Sequence, residues 1–163
     1  MSHAIVFAAP ADAELALDPI CPDWIVEGTP QARSTCLARS ADGTSAVYAW
    51  SCSAGRFRWH YAFDETLHII SGEVFVTDEN GKVRRLGPGD MAFFPAGSSS
   101  LWHVPAQVRK LAVCRHSMPR LFGFALRAWN KAIRRLTGAA AGEARFGGGP
   151  AAQAARLETA PAA

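Results

Sequence analysis

The sequence predicts an all-β domain, a sandwich or barrel of short antiparallel strands, followed by one helix and an unstructured tail. Three observations predict it. Nine short runs rich in β-branched and aromatic residues follow one another between Ser34 and Arg115, each bounded by turn residues. No segment of helical period interrupts them, which argues against a parallel α/β sheet. After Pro119 the apolar period changes to three or four, and beyond Gly138 large apolar residues almost vanish.

The elements are expected in this order. Residues 1–22 form an arm, irregular over its first twenty positions. Residues 23–118 form the β domain, with strand-type runs "STCLARS", "TSAVYAWSC", "RFRWHYAF", "TLHIIS", "EVFVTD", "KVRRL", "MAFFP", "SSLWHV" and "VRKLAVCR". Turn signals separate them at Asp42-Gly43, Ser71-Gly72, Asn80-Gly81, "GPGD" (87–90) and "PAG" (95–97). Asn80-Gly81 between two such runs predicts a tight hairpin with positive φ at both central residues.

Residues 119–137 place Leu121, Ala125, Ala128, Trp129, Ala132 and Leu136 on one helical face and Arg120, Arg127, Lys131 and Arg134 on another, with Gly138 as a stop. Residues 138–163 are rich in Ala, Gly and Pro and bury too little to order, so a disordered tail is expected.

A chain of 163 residues with 49% apolar content suits one domain with a real core. The first residues lack a basic run ahead of their apolar stretch, and no run approaches the length of a spanning helix. A cytoplasmic protein is the expectation. Cys21, Cys36, Cys52 and Cys114 show no C-x-x-C spacing, so buried reduced thiols are expected rather than a zinc knuckle or redox pair. The net charge of +3 hides an asymmetry. Residues 1–90 hold 7 Lys/Arg against 12 Asp/Glu, whereas 91–142 hold 8 Lys/Arg and no acid.

The chemistry-bearing residues cluster around one hairpin. His60 and Glu65 precede Gly72, which follows Glu65 after six residues; Gly89 is followed after five residues by Pro95 and, one further on, by Gly97. This frame resembles the two motifs of the cupin superfamily, G-x5-H-x-H-x(3–4)-E-x6-G and G-x5-P-x-G-x2-H-x3-N. The resemblance implies an RmlC-like jelly-roll barrel with metal ligands at the histidine, glutamate and second-motif histidine positions.

Counted with four residues before Glu65, the first two histidine positions fall on Arg58 and His60; the third falls on Ser100 and the asparagine position on Val104. Arginine has no lone pair to donate, and serine is a poor ligand for a transition metal. His60 and Glu65 therefore remain as an incomplete set for a divalent Mn, Fe, Ni or Zn ion. Strand alternation turns His68 and His103 outward, leaving them as rescue ligands only through a bulge. His3 and His116 are expected in solvent.

The pattern W-x-C-x-x-G-x-F-x-W-x-Y-x-x-x-E-T occupies Trp50, Cys52, Gly55, Phe57, Trp59, Tyr61, Glu65 and Thr66. Gly87–Asp90, Phe94–Gly97, Trp102, Val104 and Val108–Lys110 follow it. Together these resemble the small cupins that share a domain with (S)-ureidoglycine aminohydrolase and the ethanolamine-utilisation cupins. The aminohydrolase pattern implies a manganese enzyme with two cupins and a full ligand set; here there is one cupin and half a set, so no cofactor is the leading expectation.

Arg58, His60 and Glu65 are expected to converge in a pocket lined by Leu67, Ile69, Phe93, Ser100 and Trp102. Three readings stand: an ion pair tying two strands, a site for a small polar or anionic ligand, or a metal site. Trp50, Trp59 and Trp102 are read as core or dimer-interface residues. The basic helix packs on the barrel or a partner, or lies on anionic lipid. No aromatic–basic ladder across a sheet supports nucleic acid. Small-molecule binding by a homodimer is the leading function. A metal-dependent hydrolase or isomerase comes second, and a scaffold recruited through residues 119–137 third.

Overall fold

The computed structural model describes residues 5–117 and, beyond them, residues 125, 128, 129 and 131–133. The chain divides into two compact units, Met1–Ser117 and Met118–Ala163. In the second, the described residues are helical; the bounds of the expected 119–137 helix and the whole 138–163 tail lie outside the described residues.

The first unit is β apart from one 3-10 turn at Pro22–Trp24. Its strands are β1 (Ala16–Leu17), β2 (Ile25–Glu27), β3 (Ala32–Arg39), β4 (Ser45–His60), β5 (Asp64–Gly72), β6 (Val74–Thr77), β7 (Val83–Leu86), β8 (Met91–Phe94) and β9 (Ser99–Arg115). Two pairs of expected strands are each one long strand. "TSAVYAWSC" and "RFRWHYAF" fuse into β4, and "SSLWHV" and "VRKLAVCR" fuse into β9.

They fuse because β4 and β9 pair antiparallel along their whole lengths, from Ser45↔Arg115 to His60↔Ser99, with one irregularity between Ser53 and Gly55. A bulge bends a strand and raises its twist without ending the pairing. The first half of β4 and the second half of β9 sit in the order β1-β3-β4-β9-β5-β8. Their other halves pair with β2 and with the β6–β7 hairpin. The sheet thus folds over itself into a jelly roll.

Alternation fills the space between the two layers. Trp50, Phe57, Leu67, Ile69, Val74, Val76, Trp102, Val104 and Val108 form the core, with Trp24, Trp59 and Phe94 packed against it. Trp50, Phe57, Trp59 and Trp102 meet ring to ring at 5.8–6.5 Å, a geometry that adds to plain area burial.

The arm is less separate than expected. Ala16 and Leu17 pair with Ser34 and Arg33, and Ile20 is buried in the core. Arg109 donates through Nε to the Pro10 carbonyl at 3.0 Å and through Nη2 to the Ala13 carbonyl at 2.6 Å. Residues 1–4 lie outside the described residues.

The Asn80-Gly81 hairpin also differs from expectation. Only Gly81 has positive φ (78°). The Asp78 carboxylate accepts from the backbone N–H of Asn80 and of Lys82, both at 2.9 Å, and holds a longer loop. A second constrained glycine is Gly72, at φ 72°, where an added Cβ would lie 2.0 Å from the Gln107 carbonyl oxygen. No other residue fits that approach of β5 to β9.

Candidate functional site

A cleft of about 560 Å³ opens among β3, β4, β5 and β9, within the size range of small-molecule pockets. Its walls include Trp24, Tyr48, Trp50, Trp59, Tyr61 and Phe63, and Glu65, Lys110 and Cys114 lie deeper in it. At its mouth stand the exposed residues Asp18, Arg39, His60 and His116.

Strand β4 fixes which residues reach this space. Phe57 is fully buried, so alternation turns Trp59 and Tyr61 inward and Arg58 and His60 outward. The expected convergence of Arg58, His60 and Glu65 is therefore corrected: Arg58 is exposed, and His60 stands at the rim with its ring 5.2 Å from that of Trp24. The first motif runs here with its three-residue spacing, which places Trp59 and Tyr61 in the two histidine positions.

Phe93 is corrected too. Strand β8 turns Ala92 and Phe94 inward and leaves Phe93 57% exposed. Leu67, Ile69 and Trp102 are buried as core residues, and Ser100 is buried beside Trp102. His68 and His103 are exposed; His103 stacks on Phe75 with ring centroids 5.9 Å apart. Of the cysteines expected to be buried, Cys52 is buried and Cys114 is partly so, while Cys21 and Cys36 are exposed; all four are free thiols.

The partner of Glu65 is Lys110, part of the Val108–Lys110 pattern but not expected in the pocket. Lys110, 3% exposed, donates from Nζ to Glu65 Oε1 at 2.5 Å. The ammonium also lies 4.7 Å from the ring centroids of Trp50 and Trp102 and 5.7 Å from that of Trp59. A buried charge needs pairing, and here the carboxylate and three indole faces provide it. Each strand contributes through its register: Trp50 pairs with Lys110, and Lys110 with Ile69.

A second group of polar atoms adjoins it. Trp102 Nε1 donates to Tyr61 Oη at 3.0 Å and to Ser100 Oγ at 3.1 Å, and the two hydroxyls share a bond of 2.9 Å. Burial, reinforced by the Glu65 charge, holds the Tyr61 phenol protonated, its pKa raised. Tyr61 is locked by its backbone: its N–H donates to the Ser98 carbonyl and its carbonyl accepts from Gly97 at 2.7 Å. The Asp64 carboxylate takes the Ala96 N–H at 3.0 Å. The Pro95–Gly97 turn of the second motif is thus tied beside the site. Burial also raises the Cys114 thiol to about 11.

These residues do not fit a cupin metal. Trp59 and Tyr61 stand at the first two ligand positions, Ser100 at the third, and the one carboxylate already carries an ammonium. Among the described residues no three of His, Cys, Asp and Glu group to hold an ion. The reading of His60 and Glu65 as remaining ligands is corrected on the same ground: His60 stands exposed at the rim of the cleft, and Glu65 is buried against Lys110.

The jelly roll with two motif turns flanking one hairpin defines a cupin. Residues 39–112, a little under half of the chain, match the EutQ-like cupin domain, and the barrel is a single cupin domain resembling EutQ. Among solved structures, a putative ethanolamine utilization protein Q from Salmonella typhimurium is 29% identical, with TM-score 0.48; the match covers 54% of this chain and 72% of that one. A protein of unknown function from Pseudomonas syringae pv. tomato is 25% identical, with TM-score 0.59, over 63% of this chain. The match spans only 45% of the Pseudomonas chain. The polyketide cyclase RemF from Streptomyces resistomycificus shares the fold at 15% identity and TM-score 0.51, over 71% of this chain and 82% of its own. No curated protein matches the chain.

Proposed function

We propose that this small cupin-domain protein binds, in its barrel cleft, a small organic molecule with a flat body and a carboxylate or carbonyl group. One observation carries the reading: the inner end of the cleft holds a buried lysine head group and a buried indole N–H that a ligand oxygen could accept from. The Lys110 ammonium has three N–H groups and one hydrogen-bond partner among the described residues, Glu65. Trp50 Nε1 is buried without an acceptor. In the Tyr61–Ser100–Trp102 triangle one hydroxyl hydrogen is left over, because the two hydroxyls share a single bond.

Buried donors without acceptors are costly, and a ligand's oxygen atoms would satisfy them. The aromatic walls suit a planar apolar body. At the mouth, Arg39 and the imidazoles of His60 and His116 can donate hydrogen bonds to a ligand oxygen.

The test is thermal stabilisation and calorimetry with benzoate and phenylacetate against benzylamine and benzyl alcohol. The carboxylates should raise the melting temperature and the amine should not, and Trp24→Leu at the rim should weaken the effect. Equal stabilisation by amine and acid, or none by any of them, would overturn the reading.

A further inference from the structure

We infer that Lys110 is a Schiff-base lysine, condensing with an aldehyde or ketone seated in the cleft. The inference rests on the binding reading above and gives that site a reaction. Three observations combine. Lys110 lines the cavity from its inner end although only 3% exposed. Glu65 Oε1, 2.5 Å from Nζ, is placed to take and return a proton. Trp50, Trp59 and Trp102 surround the same nitrogen.

The proton balance closes without a further reagent. Glu65 takes one Nζ proton, and the freed lone pair forms the C–N bond as the carbonyl π pair moves to oxygen. That oxygen takes the proton back from Glu65, giving a carbinolamine. Glu65 then removes a second proton from nitrogen and delivers it to the hydroxyl, which leaves as water. The product is an iminium on Lys110 beside an ionised Glu65.

The cage does not oppose this outcome. Indole faces and a carboxylate that hold an ammonium hold an iminium equally, since both are cations at the same atom. Walls of tryptophan keep bulk water from the imine, and the Tyr61 phenol, held protonated by burial, can donate a hydrogen bond to the carbonyl oxygen.

The experiment is reductive trapping on the full chain with phenylpyruvate or benzaldehyde and cyanoborohydride, read by peptide mass mapping. The chain has two other lysines, Lys82 and Lys131, both exposed and serving as internal controls. Lys110 should be modified more than roughly tenfold faster than either, as expected of an amine with a general base within hydrogen-bond reach. Phenylacetate should protect it, and Glu65→Gln, where circular dichroism shows it still folded, should slow it at least roughly tenfold. Labelling confined to Lys82, Lys131 or the amino terminus, with phenylacetate still stabilising the protein, would overturn the Schiff base and leave the binding reading intact. No labelling and no stabilisation would overturn both.

Discussion

Lys110 Nζ and Glu65 Oε1 meet at 2.5 Å inside the barrel, across the β5–β9 ladder, with 3% and 9% of their side chains exposed. Glu65 stands at the motif's glutamate position, and in this chain it pairs with an ammonium of the chain itself.

Removing one member of that pair should be severe. Glu65→Gln leaves a buried ammonium without its counter-charge and should cost about 3–5 kcal/mol, the usual effect of breaking a buried pair. Glu73 pairs with Arg85 at 2.7 Å, but both are far more exposed, so Glu73→Gln should cost less than about 1 kcal/mol. Chemical denaturation of both variants checks this; equal midpoints would show that the Lys110–Glu65 pair is solvated.

Thiol chemistry should divide the four cysteines. Burial raises Cys52 to about 12 and Cys114 to about 11. At pH 8 only about one Cys114 in a thousand is then thiolate, the reactive form. A disulfide reagent on native protein should modify Cys21 and Cys36 rapidly and the other two only after denaturation. The sign for stability follows: the folded Cys52 pKa lies above its ordinary 9.0, so its contribution is whole below pH 9 and is lost as pH rises from 9 toward 12. Alkaline unfolding should shift upward in Cys52→Ala relative to its own neutral-pH stability. Rapid native labelling of all four thiols would contradict the buried placement.

The arm should depend on one side chain. Arg109 bonds the Pro10 and Ala13 carbonyls, and hydrogen bonds from charged donors contribute about 1.5–3 kcal/mol each at most. Arg109→Met should release the segment before Ala16 and make it a preferred cleavage site in limited proteolysis. An unchanged digestion pattern would mean that β1 and Ile20 alone hold the arm.

Metal content is expected to be low. With Trp59, Tyr61 and Ser100 at ligand positions, protein purified without chelator should carry well under one equivalent of Mn, Fe, Ni or Zn. Elemental analysis decides it: near one equivalent, lost in Glu65→Ala, would show that the ammonium yields to an ion.

Much of the fold was legible in the sequence because it is written in local chemistry. Turn residues punctuate every expected strand, and motif glycines such as Gly72 mark places where only a missing Cβ lets two strands approach. The inward face of β4 was legible too. Arg56-Phe57-Arg58-Trp59-His60-Tyr61 alternates charge or imidazole with aromatic ring, which is the period of a half-buried strand. The motif's two permitted spacings masked that signal, and counting four residues instead of three turned Arg58 and His60 inward by one-residue slippage.

The sequence by itself determined the all-β class, the two motif turns and Glu65 as the carboxylate of the interior. Tertiary structure alone decided what Glu65 faces. Strand β9 alternates Lys110, Ala112 and Cys114 with Leu111 and Val113, apolar on both faces, so no local pattern says which way Lys110 points. Only the pairing of β9 between β4 and β5 sets that parity. It brings together a lysine and a glutamate 45 residues apart, because sheet register, and not sequence distance, places side chains on a common face.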